Sequence, residues 1–146
     1  MSAAPLPAEL VPHAGDMCLL DRVEQWDDAG VACASASHRR ADHPLRRDGV
    51  LGAVHLIEYA AQASAVHAAL ASGGDAGGAR PRYLASAREV EFHVQRIDDV
   101  EADLRIEATR LVAMGGGAAY GFRITAAGRL LCEGRLGVVE PGGASS

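Results

Sequence analysis

The sequence predicts an α+β domain in which an antiparallel sheet of about five strands wraps around one long buried helix. Residues 53–70 run for eighteen positions without Gly or Pro. They are dominated by Ala and Leu, which favours helix. Apolar side chains cover almost every direction around that helix, so it belongs in an interior and not on a surface. After it, four segments alternate apolar with polar residues between glycine turns, the pattern of antiparallel strands with one wet face. Packing the helix on the apolar side of that sheet buries both.

Residues 1–12, rich in Ala and Pro, read as extended or frayed. Residues 12–23, PHAGDMCLLDRV, read as a short helix or turn, with Met17, Leu19 and Leu20 packed under the core. Asp28-Ala29-Gly30 makes a turn, and residues 26–37 hold a strand through Val31, Cys33 and Ser35. Residues 38–49, HRRADHPLRRDG, form a polar loop that runs straight into the helix. Binding residues tend to sit on such loops. Residues 72–81, SGGDAGGARP, read as a flexible connection. Residues 83–94 follow as a strand, with Val90, Phe92 and Val94 on one face and Glu89, Glu91 and His93 on the other. The next strands are 102–111, 118–125 (through Tyr120, Phe122 and Ile124) and 130–139. Turns at Gly115-Gly116-Gly117 and Ala127-Gly128 separate them. Residues 140–146 read as a disordered tail. The whole is one domain, 1–146, with an ordered core of about 12–139. Strands curled around one buried helix make the hotdog fold.

A net charge of −5 argues against a nucleic-acid binder. All 14 basic residues are Arg, and without Lys there is no Schiff-base chemistry and no P-loop. Cys18, Cys33 and Cys132 make no CxxC pair and no zinc pattern; they read as buried or half-buried thiols in a reducing compartment, and no metal is expected. The opening MSAAPLPAEL has neither a basic nor an apolar region of the secretory kind. Two His, a Glu and a Gln inside the helix argue against a membrane span. A cytoplasmic protein is expected.

The polar residues of so apolar a helix are the informative ones. His55, Glu58 and Gln62 fall at i, i+3 and i+7, within one stripe about 60° wide. A carboxyl group on a buried helix is costly unless it is paired or put to use. Position alone leaves two readings open: Glu58 caps a structural network or subunit contact, or it moves protons. Arg39, Arg40, Arg46 and Arg47 likewise read either as a solvated loop or as a local basic patch. His38, His67 and His93 read as structural or surface residues.

Three stretches resemble the 3-hydroxyacyl-acyl-carrier-protein dehydratases. PHAGDMCLLDRV is similar to their N-terminal segment, where Pro-His precedes Leu-Leu/Val-Asp-Arg-Val. HPLRRDGVLGAVHLIEYAAQASA resembles their central helix, in which an acid lies four residues before a Gln; here these are Glu58 and Gln62. YLASAREVEF resembles the strand after the helix. The resemblance covers most of 12–139 and is closest to the divergent dehydratase-like proteins of aryl polyene and related pigment pathways. One motif departs: the family's His-Phe-Pro-Gly loop is absent. His43 stands fifteen residues before Glu58, one more than the family's histidine. A one-residue insertion makes His43 its equivalent; the alternative alignment leaves that histidine missing, with His55 or His13 as substitutes.

The resemblance implies dehydration of a 3-hydroxyacyl thioester to a trans-2-enoyl thioester, with no cofactor beyond the phosphopantetheine that carries the substrate. His43 would be the base at C2. Glu58, kept protonated by an apolar setting, would be the acid at the C3 hydroxyl. Backbone N–H groups at Gly52 and Ala53 would hold the thioester oxygen. His55, Gln62 and His13 would line the substrate site. The partner would be an acyl carrier protein or coenzyme A, and a basic patch of the loop arginines would face an acidic acyl carrier protein or the phosphate of its pantetheine arm. The assembly would be a homodimer, or a heterodimer with another hotdog subunit, sharing sites across its interface. Two further readings stay open: a hotdog thioesterase in which Glu58 activates water, and a non-catalytic partner of another dehydratase.

Overall fold

The computed structural model describes residues 18–71, 83–114 and 116–139. The expected frayed N-terminus, His13, the link 72–81 and the tail 140–146 lie outside the described residues. The strands are β1 (Arg22–Trp26), β2 (Gly30–Ser35), β3 (Tyr83–Phe92), β4 (Leu104–Met114), β5 (Gly117–Ala126) and β6 (Arg129–Val139). They form one antiparallel sheet in the order β1-β2-β4-β5-β6-β3. A 3-10 turn (Ala53–His55) leads into α1 (Leu56–Ala71) between β2 and β3 in the chain.

The helix lies where its composition requires. Leu56, Tyr59, Ala60, Ala63, Val66 and Leu70 join one core cluster with Val31, Cys33, Leu104, Ile106, Tyr120 and Ile124 from the sheet. Each large apolar side chain buried there contributes about 1.5–3 kcal/mol. His67 is the polar anchor of its far half. His67 Nε2 donates to the Asp27 carbonyl at 2.8 Å, which leaves Nδ1 to accept from the Tyr120 hydroxyl at 2.7 Å. The helix is thereby tied to the β1–β2 turn and to β5. His38, also fully buried, bonds the Val100 carbonyl through Nε2 at 2.9 Å. Burial lowers the pKa of both rings.

The sheet has a sixth strand where the sequence suggested a helix or turn. Leu19 and Leu20 do pack under the core, but from Arg22 the chain pairs with β2 as an edge strand. Its sequence, RVEQW, is mostly exposed and so carries no alternating pattern. The alternation expected along 83–94 is broken as well. A bulge lies between Arg88 and Glu91, with Glu89 at φ 54. It brings Val90 over Gly134, where an added Cβ would stand 2.9 Å from Val90 Cγ2. Phe92, paired with Cys132 at this sheet edge, remains 40% exposed. Among the described residues no helix is long and apolar enough to cross a membrane.

Candidate functional site

Most of α1 is buried, but its first turns keep one open side. Ile57, Glu58 and Ala61 are half-buried, as is His55 in the preceding turn, and Val54 is 58% exposed. Glu58 is therefore not sunk in the core, and the full desolvation expected from the sequence is not present in the single chain. Its carboxylate is nonetheless fixed. The buried Leu19 N–H donates to Gln62 Oε1 at 2.8 Å. A backbone N–H can only donate, so the amide orientation is set and Gln62 Nε2 faces Glu58 Oε1, at 3.1 Å. The i, i+4 spacing read from the sequence brings these two side chains together.

His43 is placed differently from the base it was expected to be. Its ring is 4% exposed and stacks near Tyr59, with centroids 6.2 Å apart. Nδ1 accepts the Leu45 N–H at 3.1 Å, and Nε2 lies 3.1 Å from the Tyr59 hydroxyl. Burial, then the positive charges of Arg40 and Arg46, bring its pKa down to about 4. The imidazole is neutral at pH 7 and both nitrogens are engaged inside the protein.

The helix entrance also departs from expectation. The Ala53 N–H, expected to hold a thioester oxygen, donates to the Gln95 carbonyl at 2.9 Å. An isolated bridge pairs Gly52 with Arg96, and the Leu51 N–H reaches Asp98 Oδ1 at 2.9 Å. Arg96 beside Asp98 holds that carboxyl well below the usual range. The start of the helix is thus zipped to residues 95–98 by its own backbone groups.

The loop arginines divide in the same way. Arg39 pairs with Asp103 at 2.8 Å and Arg40 with Asp42 at 3.1 Å. Arg46 donates to the carbonyls of Gly49 and His38, at 2.7 and 3.2 Å. Arg47 is exposed. Three of the four are occupied within the chain, so the basic patch contracts toward Arg47. On the outer face of the sheet, Glu91, His93 and Glu133 come within 4.8 Å of one another, and His93 Nε2 lies 3.7 Å from Glu133 Oε2.

The residues not anticipated are Tyr59, Ser35, Ser37 and the main chain of Leu19. Ser35 and Ser37 are buried and both donate to the Leu19 carbonyl. The available signal was Ser35 itself, a polar side chain in register with the apolar Val31 and Cys33.

A curved antiparallel sheet around a central helix, with a carboxylate fixed on the helix's open side, defines a hotdog-fold protein of the dehydratase and thioesterase class. The chain belongs to the ApeP dehydratase family, whose model matches residues 5–146. It is similar in structure to the dehydratase heterocomplex ApeI:P from Xenorhabdus doucetiae, with a TM-score of 0.84 and 24% identity over 94% of this chain and 92% of that one. It is also similar to AziG from S. sahachiroi (TM-score 0.64, 17% identity, 90% and 97% of the two chains). A hypothetical thioesterase with coenzyme A from Streptococcus pneumoniae TIGR4 shares the fold at a TM-score of 0.59 and 13% identity, over 82% and 84% of the chains. Comparison with curated protein sequences gives no match.

Proposed function

We propose that this chain is one subunit of a heterodimeric 3-hydroxyacyl-thioester dehydratase and that Glu58 is the proton-transferring carboxyl it brings. The substrate arrives on the phosphopantetheine of an acyl carrier protein or of coenzyme A. A base takes the proton from C2, Glu58 gives a proton to the C3 hydroxyl, and water leaves with formation of the trans-2-enoyl thioester. The observation that carries the reading is the anchored carboxyl group: Gln62 Nε2 donates to Oε1 of Glu58, and Glu58 sits on the helix's open side. Family membership supports dehydration, and the solved ApeI:P complex, a heterocomplex by its own description, supports a second hotdog subunit.

In this reading His43 is a structural group, because both its nitrogens are bonded within the chain. The base meets Glu58 from across the subunit interface. His55, three residues before Glu58 and half-buried, lines the acyl thioester's path beside Gly52.

The test is hydration of a crotonyl-type thioester, followed by loss of enoyl absorbance, with the chain alone and with a second hotdog subunit. Turnover should need both subunits, and Glu58→Gln should lower it by about 10²- to 10⁴-fold, the usual worth of acid–base assistance. The Gln side chain still accepts from Gln62, so Tm should change little. Full turnover by Glu58→Gln would overturn the assignment. Release of free thiol without hydration would identify a thioesterase in its place.

A further inference from the structure

Tyr59 follows Glu58 on α1 but points the other way, into the core, where it is fully buried. Its hydroxyl lies 3.1 Å from His43 Nε2 and 2.7 Å from Ser37 Oγ. The direction of each bond follows from the ends of the chain. The Leu45 N–H can only give a proton, so His43 Nδ1 accepts it. The neutral imidazole then carries its proton on Nε2 and donates to Tyr59. The Tyr59 hydroxyl is left to donate to Ser37, and the Ser37 hydroxyl donates to the Leu19 carbonyl at 2.8 Å. On its other side the Leu19 main chain donates its N–H to Gln62, which in turn donates to Glu58. Seven residues, from Leu45 in the loop before the helix to Glu58, thus form one directed series.

We propose that Tyr59 is a positioning residue for Glu58, acting through Ser37, Leu19 and Gln62. Leu19 lies on an irregular segment with no strand partner of its own before β1. Its carbonyl is set by the buried serines, and its N–H is what orients the Gln62 amide. Removing the Tyr59 hydroxyl leaves the His43 N–H without its acceptor in a dry interior and leaves the Ser37 hydroxyl to its contact with Ser35, 2.8 Å away, so that both groups re-pair. Leu19 then shifts, and the Gln62 amide with it. The inference rests on the reading of Glu58 as the proton-transferring group, but part of its test does not.

The sequence has three Gln and no Asn. The side-chain amide region of a proton–nitrogen correlation spectrum therefore holds three NH₂ pairs, of which Gln25 and Gln95 belong to exposed residues and Gln62 to a buried one. In Tyr59→Phe the Gln62 pair should move toward the exposed pairs and exchange with solvent at least about tenfold faster. In the two-subunit enzyme, kcat should fall about 10- to 100-fold with KM within about twofold, as for a misplaced reacting group. Adding Tyr59→Phe to Glu58→Gln should cost nothing further, since both act through one carboxyl. Ser37→Ala, which breaks the next link, should reproduce these effects and serves if Tyr59→Phe does not fold. An unmoved Gln62 pair, or losses that multiply in the double variant, would overturn the inference while leaving Glu58 as the acid. Full turnover by Glu58→Gln would overturn both, and the Gln62 signal would still report whether the bonded series exists.

Discussion

Replacing Gln62 by Glu changes one NH₂ into an oxygen at a 2% exposed position. The acceptor for the Leu19 N–H is kept, but the donor to Glu58 Oε1, 3.1 Å away, becomes a second carboxyl oxygen. Two unit charges about 4 Å apart repel by about 4 kcal/mol at an effective dielectric near 20. Glu58 is half-buried, so water moderates this, and about 2–3 kcal/mol remains. The pair escapes the repulsion by sharing a proton, so its folded-state pKa is raised above the ordinary glutamate value. The sign follows: the folded variant holds a proton that the unfolded chain has released. Its stability relative to the parent is therefore greatest at acidic pH and is lost as pH rises through the raised value. At pH 7 the penalty corresponds to a drop of about 5–10 °C in Tm for a chain of this size. Thermal melts of parent, Gln62→Glu and Gln62→Met from pH 5 to 8 measure it. Gln62→Met should instead lose about 1–3 kcal/mol at every pH, from the orphaned Leu19 N–H. A Gln62→Glu penalty that does not grow with pH would refute the assigned amide orientation.

Acid should destabilise the parent protein itself. His43 is held at about 4 by burial and the nearby arginines, and burial lowers the pKa of His38 and His67 too. The unfolded chain therefore binds more protons, and Tm should fall as pH drops from about 6.5 toward 4; a flat profile there would contradict the buried neutral rings. Gly30→Ala places a Cβ 2.4 Å from the Ala108 carbonyl oxygen, so β2 must shift against β4. Urea melts should show a loss of about 1–3 kcal/mol. Arg46→Ala should lower stability through the released loop carbonyls of Gly49 and His38, with equal losses on carrier-bound and short pantetheine thioesters. Arg47→Ala should leave Tm unchanged and weaken only carrier-bound substrate, in a salt-sensitive way; the opposite pattern would return Arg46 to the surface patch.

The sequence by itself determined the helix, the four strands after it and the way they pack, because these depend on local composition and period. An Ala- and Leu-rich stretch without a polar face has to be enclosed, and alternating strands supply the enclosing face. The Glu58–Gln62 pair was legible for the same reason, since i, i+4 neighbours on a helix meet whatever surrounds them. Strand β1 was not, because an exposed edge strand has no apolar period to read. Only the tertiary structure decided the fate of the histidines and of the helix entrance. His43 faces Tyr59 through a loop held by successive backbone turns and by the side chains of His43 and Arg46, and the Ala53 N–H is taken by Gln95, more than forty residues later in the chain. Nor does spacing reveal that the main chain of Leu19 joins Ser37 to Gln62. Backbone groups are the same at every residue, so which of them orients the carboxylate follows from which segments are brought within hydrogen-bonding distance.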